Sequence, residues 1–310
     1  MLRIFYFYFC LIISIFIVKH SFAIESKILL KIDDNIITNI DIQKESRYLW
    51  SLNPNIKNLS TDQIFEISKN SLIREKIKEK YILNFYKEDT VDEDNLNRFM
   101  MTLLERINLK SIDEFEKYLN KNKLTLDYVK KKINLELMWN RLIYYKYKSK
   151  LKINSDEIKQ NLLNTKKVNS EKIFLQEIIF EIKDKENIKE KYKNIKSVIN
   201  NSSFNNAALI YSLSDTSKNN GDIGWINKSS LNQNILDKIN NLNIGEISEP
   251  ITVPGGFLIL KIKDIEIEEK SIDIEKELQK VIKLKTNQQL NQFSLIFYNK
   301  IKKKVIINGL

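Results

Sequence analysis

The chain has 310 residues, enough for two domains and a sizeable core. Its 29% charged and 10% aromatic residues argue against global disorder. The formal charge is +11, but lysines alternate with glutamates along predicted helices, as at residues 75–80, which is typical of a solvated helix face. The lysine runs 130–132 and 302–304 are short and lack an aromatic platform, so we expect no nucleic-acid binding.

The first 23 residues have the features of a signal peptide. Arg3 precedes an unbroken apolar run over residues 4–18, and Ser21 and Ala23 provide small residues at the −3 and −1 positions of a cleavage site. The run is shorter than the roughly 20 residues of a membrane-spanning helix. We therefore expect cleavage near Ala23 and export, without stable membrane insertion of the mature chain. The alternative is that the segment is retained as an N-terminal anchor.

Cleavage would also remove two reactive side chains. The only cysteine, Cys10, and the only histidine, His20, both lie in the N-terminal segment. The mature chain would then have no disulfide, no zinc site built from Cys or His, and no Ser-His-Asp or Cys-His nucleophile. We expect neither a metal nor a cofactor.

The mature chain begins with a predicted strand over residues 27–32, a turn at 33–35 and a short strand at 36–37. Thr38, with Asp41 three residues later, predicts the start of a helix. Helices then predominate to about residue 165. One spans 61 to about 87, with one face formed by Ile73, Ile77, Tyr81 and Phe85. Others begin near Asp92, near Ser111, near Leu126 and at residues 154–157.

The acidic cluster at residues 92–94 allows two interpretations. A calcium loop would need a turn glycine and alternating ligands, which the cluster lacks. Acidic residues favour helix N-termini. We therefore interpret the cluster as a helix start.

Five of the six glycines lie between Gly221 and Gly256, which marks a compact, turn-rich segment in an otherwise helical chain. After a polar linker at 166–170, this segment predicts a strand, two helices, a turn-rich loop, a third helix and two closing strands. The strand, the three helices and the last strand are expected at residues 173–182, 188–200, 204–211, 232–241 and 256–261.

The remaining sequence predicts a final helix from 272 to about 300 and a strand at 304–308. Leu278, Val281 and Ile282, then Leu290, Phe293 and Ile296, are expected on one side of that helix. We expect the first and last strands to pair. The predicted division is residues 24–168 as a helical domain, 171–266 as an insert, and 270–310 completing the first domain, in an α+β fold.

Three ordered motifs give the insert a resemblance to parvulin-type peptidyl-prolyl isomerases. They are Tyr211-Ser212 followed by Asn-Gly-Asp-Ile-Gly-Trp at 220–225, Gly-Glu-Ile-Ser-Glu-Pro-Ile at 245–251, and the closing strand from Gly256. The flanking arrangement is similar to that of SurA-like periplasmic chaperones. The resemblance implies a mostly helical chaperone body with an inserted parvulin domain, in which a small antiparallel sheet is surrounded by helices.

The resemblance also implies candidate site residues. The two histidine positions of the family fall at Glu177 and Leu258, and the position often held by Cys or Asp falls at Ser214. The apolar pair that receives the proline ring falls at Leu231 and Ile235. We expect these two residues four apart on one helix, where they fit the buried face of that helix equally well. These degenerate positions put isomerase activity in doubt, although rotation about a prolyl bond needs no nucleophile.

Individual positions remain open to a second interpretation. Glu177 is expected on the same strand face as Leu175 and Ile179, either as a polar group at the pocket floor bonded to Ser214 or another hydroxyl, or as a strand-edge residue reaching solvent. Leu258 fits plain core packing as well as a pocket. Trp225 is a candidate for substrate binding, or a core or rim residue.

The function that the resemblance implies is that of an exported chaperone. Its partners would be unfolded or proline-containing polypeptides, in particular outer-membrane proteins, in the periplasm. The alternative is an active prolyl isomerase as the main role. A membrane-tethered assembly factor would require retention of the N-terminal segment.

Overall fold

The computed structural model of the chain describes residues 25–53, 56, 59–86, 92–165, 170–182, 186–268 and 273–309. The predicted signal peptide with its cleavage site at Ala23 lies outside these residues, as do Cys10 and His20. Most of the predicted linker, at 166–169, is also outside them. Within the described ranges, no helix combines the length and apolar character that crossing a membrane requires.

Strands from the two ends of the chain form one antiparallel sheet. Strand β1 is Ile28–Ile32, β2 is Asn35–Thr38 and β7 is Ile307–Gly309, in the order β2-β1-β7. At the β1–β2 turn, the Asp33 N–H donates a hydrogen bond to the Ile306 carbonyl oxygen at 3.0 Å. The predicted pairing of the first and last strands is confirmed.

In the part of the chain that the structure describes, six α-helices lie between β2 and the next strand, and they begin close to the predicted positions. Thr38 and Ser60 each form a capping box, in which the cap side chain and the side chain three residues later bond to each other's backbone N–H. Asp92, Ser111 and Thr125 cap the next three helices, so the acidic cluster that begins at Asp92 is a helix start. The helices are α1 Asn39–Leu52, α2 Thr61–Phe85, α3 Glu93–Arg106, α4 Ile112–Lys121, α5 Leu126–Tyr147 and α6 Ser155–Thr165.

The long last helix, α10 (Ile274–Lys302), packs into the core of these helices and the terminal sheet. Its Phe297 stacks on Trp139 of α5, with ring centroids 5.6 Å apart. The Trp139 indole N–H donates a hydrogen bond to the Ser294 hydroxyl at 2.8 Å. Because Trp139 is fully buried, this hydrogen bond satisfies a donor that would otherwise be costly to desolvate.

Two of the predicted helix faces are partly wrong. On α2, Ile77 is buried as expected, but Phe85 is 58% exposed because it is the last residue of the helix. On α10, Leu278 is buried, but Ile296 is 41% exposed. Leu295 and Phe297 of α10 are buried, whereas Ile296 between them points to the outer side of the helix.

The part of the chain between α6 and α10 forms a four-stranded antiparallel sheet with three helices. Its strands are β3 Ser170–Phe180, β4 Asp222–Asn227, β5 Ile251–Val253 and β6 Gly256–Glu268, in the order β4-β3-β6-β5. Its helices are α7 Ile188–Asn201, α8 Phe204–Tyr211 and α9 Gln233–Ile239. The predicted α+β class, a helical body with a small antiparallel sheet surrounded by helices, is confirmed.

Three local predictions in this part are corrected. Strand β3 begins at Ser170, and the segment expected as a turn-rich loop contains strand β4. The glycines in that segment obscured its strand character, but long-range pairing with β3 stabilises it. Helix α9 begins after its cap Asn232, so Leu231 precedes the helix.

The two faces of this sheet have separate apolar cores. One face carries Leu175, Ile179, Leu258 and Leu260. The other carries Ile178 and Phe180 with side chains of α7 and α8. The first face faces α10, since Leu295 of that helix is buried in the same cluster. The body and the insert are therefore in direct contact.

Charged side chains, of which Lys78 is buried and Glu136 and Lys218 are half-buried, also join the two parts. Glu136 of α5 lies between two ammonium groups, with Lys78 Nζ of α2 at 2.6 Å and Lys218 Nζ of the insert at 2.7 Å. Lys78 Nζ is also 3.6 Å from Asp215. The Arg106 guanidinium donates a hydrogen bond to the Lys218 carbonyl oxygen at 2.9 Å. These contacts fix the position of residues 214–220, which lie beside the candidate site.

Candidate functional site

A pocket of about 440 Å³ lies on the sheet face that is directed toward α10. Strand β3 contributes Glu177, strand β6 contributes Leu258, and the segment around the start of α9 contributes Leu231 and Ile235. Four of the six residues that the sequence indicated therefore line one cavity. Its lining is about half apolar and half polar, and its size is typical of ligand sites.

Backbone pairing along both edges of strand β3 fixes the position of Glu177. It lies opposite Leu260 of β6, and its backbone N–H donates to the Gly221 carbonyl oxygen at 2.7 Å. Strand alternation directs its side chain into the pocket between those of Leu175 and Ile179. The predicted location of this carboxylate on an otherwise apolar face is confirmed.

Two hydroxyl groups bind the Glu177 carboxylate. Ser214 Oγ donates to Glu177 Oε1 at 2.7 Å, and Thr216 Oγ1 donates to the same oxygen at 2.9 Å. Ser214 is buried and caps a short 3₁₀ helix, Asp215–Asn219, that carries Thr216. Local turn geometry thus brings both hydroxyls to one carboxylate oxygen, and the predicted bond between Glu177 and Ser214 is confirmed.

Burial raises the pKa of Glu177 above its ordinary value of 4.5. The hydrogen bonds from Ser214 and Thr216 lower this pKa in part, and the nearby charge of Asp215 raises it. This direction is the one expected from desolvation of a carboxylate. A carboxyl group with a raised pKa can take up a proton under mildly acidic conditions, and it then gains a donor.

Apolar side chains form the pocket wall next to Glu177. Leu231 and Ile235 are half-buried and line the cavity. Leu258 lines it as well, but is only 8% exposed and packs with Leu260 and other core residues, so it contacts both the core and the cavity. The wall could receive a small ring such as that of proline.

Trp225 lies apart from the other five predicted residues. It is 45% exposed, and its ring packs edge-on against Phe174 with centroids 5.5 Å apart. Strand alternation on β4 places its neighbour Ile226 at the pocket instead. Trp225 lines a separate cavity of about 300 Å³ together with Lys172 and Val281. Trp225 therefore lies outside the candidate pocket.

Sequence reasoning missed several residues of the pocket. Thr216 could have been found, because a hydroxyl two residues after Ser214 is common in turns. Gln176 is buried and supports the neighbouring loop, since its amide N–H groups donate to the Asn220 carbonyl oxygen and to Asp222 Oδ1, both at 2.9 Å. Helix α10 provides a wall that no local signal predicts. Its contributing residues are Leu284, Lys285, Asn287, Gln288, Asn291 and Gln292.

A second cleft, of about 460 Å³, lies between the body and the insert on the opposite sheet face. Phe180 and Tyr211 of the insert form part of its apolar surface. Arg74, Lys191 and Lys302 also line it, and Lys191 and Lys302 pair with Glu186 and Glu181 at 3.3 and 3.4 Å. The combination suits an extended polypeptide segment with aromatic and acidic side chains.

Comparison with known proteins agrees with this architecture. Residues 173–264 match the family model described as "Rotamase: PPIC-type PPIASE domain". The chain is 24% identical over 186 residues to the chaperone SurA of Pseudomonas aeruginosa, which covers 56% of this chain and 44% of that protein. It is 24% identical over 183 residues to the chaperone SurA of Pseudomonas putida, covering 56% and 43%. The chain thus matches less than half of the length of these relatives.

Among solved structures, the chain is similar to one from a study of two SurA-like chaperones of Campylobacter jejuni, at 15% identity and a TM-score of 0.36. That similarity covers 91% of this chain and 98% of the other. The chain is thus similar in sequence to SurA chaperones, and its residues 173–264 match a parvulin-type rotamase domain.

Proposed function

We propose that this chain is an exported, periplasmic chaperone that binds unfolded polypeptides, with outer-membrane proteins as clients. The observation that carries the proposal is the sequence similarity to SurA chaperones together with the rotamase-type insert. The apolar run that precedes Ala23 supports export. The body-insert cleft, with its aromatic and cationic lining, is the proposed site for extended client segments.

In this proposal the pocket of the insert receives proline-containing segments but catalyses isomerisation weakly. The barrier to rotation about the peptide bond is about 18–20 kcal/mol, and no covalent bond has to break. An apolar wall that favours the twisted amide over both planar forms would lower this barrier. Both hydroxyls donate to Oε1 of Glu177, which leaves Oε2 of this carboxyl to accept a hydrogen bond from a substrate.

The alternative is that prolyl isomerisation is the main role. The observation in its favour is that a polar group persists at the pocket floor, where Glu177 is held by Ser214 and Thr216. A strong isomerase would accelerate isomerisation in short peptides without any effect on client aggregation. The two roles are therefore separable by measuring both in the same preparations.

The test of the chaperone role is suppression of aggregation of an unfolded outer-membrane protein, followed by light scattering. We expect the wild-type chain to suppress aggregation, and a Lys191→Gln, Lys302→Gln variant of the cleft to suppress it less. Lys280→Gln, on an exposed face of α10, is the matched control and should behave as wild type. Absence of suppression by the wild-type chain would refute the chaperone proposal, and equal suppression by all three would refute the role of the cleft.

A further inference from the structure

Helix α10 of the body lies against the same face of the insert sheet that forms the pocket. Its Leu284 and Leu295 pack in the cluster that contains Leu258 and Leu260. At the β5–β6 turn, a Cβ atom on Gly255 would lie 3.5 Å from the Leu295 Cβ, which is ordinary van der Waals contact. The pocket is therefore bounded on one side by the insert and on the other by the body.

The pocket-facing side of α10 consists mainly of amide side chains. Gln288 and Gln292 are four residues apart, as are Asn287 and Asn291, so each pair lies on one side of the helix. Among the residues that the structure describes, none of these four amides has a hydrogen-bond partner. Gln288, Asn291 and Gln292 are half-buried in this position.

These amides face a pocket with little charge. The charged side chains that line it are Glu177, Asp222 and Lys285. Two hydroxyls donate to Oε1 of Glu177, and Asp222 accepts hydrogen bonds from Gln176 and Lys263. On the side of the cavity formed by α10, hydrogen-bonding capacity lies mainly in these carboxamides, each of which offers both a donor and an acceptor. That is the chemistry needed to pair with the N–H and C=O groups of an extended main chain.

We propose that α10 forms the second wall of the polypeptide site, in which Gln288 and Gln292 hydrogen-bond to the main chain of an extended segment while its prolyl ring contacts Leu231, Ile235 and Leu258. This inference rests on the proposed function of the insert pocket. It makes the site a composite of body and insert. Recognition through main-chain groups makes the wall tolerant of the client's sequence, and the ring pocket adds a preference for proline.

The test measures binding of a short fluorescent peptide with one central proline to the full chain, by fluorescence anisotropy. Gln288→Leu combined with Gln292→Leu removes both amides while retaining side-chain size and helix propensity. Gln279→Leu, on an exposed part of the same helix outside both pockets near α10, is the matched control. We expect the double variant to bind about tenfold more weakly and the control to bind as wild type.

Photo-crosslinking provides a second readout that does not depend on affinity. A photo-reactive residue placed at Gln288 should cross-link to the peptide, and one placed at Gln279 should not. Unchanged or tighter binding by the double variant, or no cross-link from position 288 while the wild-type chain binds the peptide, would overturn the inference and indicate that α10 only covers the pocket. Failure of the wild-type chain to bind any proline peptide would instead refute the proposed function of the pocket, and this inference with it.

Discussion

Ser214 Oγ lies 2.7 Å from Glu177 Oε1 and donates a hydrogen bond to it across the floor of the insert pocket. The same turn brings Thr216 to this oxygen. Because Lys218 of that turn is paired with Glu136 of the body, contacts between body and insert also hold the donors of the pocket floor. The stability of the site and of the interface should therefore be linked.

Removal of both hydroxyls, by Ser214→Ala with Thr216→Val, should destabilise the chain by about 2 kcal/mol at neutral pH. The physical reason is that a half-buried carboxylate would lose both of its donors. Urea unfolding measures the change. Ser197→Ala removes an exposed hydroxyl and should change stability by less than about 0.5 kcal/mol. Equal stabilities of the two variants would show that the hydroxyls do not support Glu177.

Glu177→Gln should stabilise the chain relative to wild type at neutral pH but not under acidic conditions. The pKa of Glu177 is raised above 4.5 in the folded state, so its contribution to stability is fully present below that value and is lost as the pH rises through the folded pKa. Glutamine has no such dependence, and its side-chain oxygen can still accept from both hydroxyls.

The measurement for this change is the free energy of unfolding of wild type and variant from about pH 4 to about pH 8. The difference between the two should grow with pH and level off above the folded pKa. A difference that is constant over this range would contradict a raised pKa at Glu177.

Gly221→Ala should destabilise the insert by about 2 kcal/mol or more. Gly221 has φ of +74°, and a Cβ atom there would lie 2.6 Å from the Glu177 carbonyl oxygen. Gly309→Ala is the control, because a Cβ atom at that position meets no atom within 4 Å. We expect the thermal unfolding midpoint to fall for Gly221→Ala and not for Gly309→Ala. Similar midpoints for both variants would argue against the close approach of Gly221 to the Glu177 carbonyl oxygen.

Glu136→Gln should destabilise the chain by about 3 kcal/mol, because Lys78 and Lys218 would lose their common partner. Burial alone would raise the pKa of Glu136. Lys218 and Lys78 lower this pKa by more than burial raises it, so it lies well below its ordinary value of 4.5. The stabilising contribution is therefore present above about pH 4.5 and is lost as the pH falls toward the folded pKa.

Urea unfolding at neutral and acidic pH tests this contribution. Glu275→Gln breaks an exposed pair with Lys159 and serves as the control, with an expected change of a few tenths of a kcal/mol. If Glu136→Gln lowers the free energy of unfolding no more than the control does, the ion pairs of Glu136 do not stabilise the contact between body and insert.

Local signals predicted much of the fold. Thr38 and Ser111 mark helix starts because their side chains satisfy backbone N–H groups within the same short segment, whatever the rest of the chain does. Strand β4 was missed for the opposite reason, since Gly224 weakens its local preference and pairing with β3 decides its structure. Domain boundaries and the roles of the site residues stay predictions.

The pocket likewise has some features that the sequence predicts and others that depend on long-range packing. The bond between Glu177 and Ser214 could be predicted from strand alternation and the family resemblance, because both positions belong to the insert. The wall formed by Gln288 and Gln292 could not, because their approach depends on how a distant helix packs on the sheet. Trp225, a candidate for substrate binding, lies outside the pocket because strand alternation directs its side chain away from it.

The central claim is that the apolar wall of the insert pocket receives the proline of a polypeptide. The most direct test is binding and isomerisation of short Xaa-Pro peptides by the full chain, beside a Leu231→Ala, Ile235→Ala variant and the Gln279→Leu control. We predict weaker peptide binding by the pocket variant, loss of any acceleration of isomerisation that the wild type shows, and wild-type behaviour of the control. Equal binding by all three proteins would contradict the assignment of the pocket.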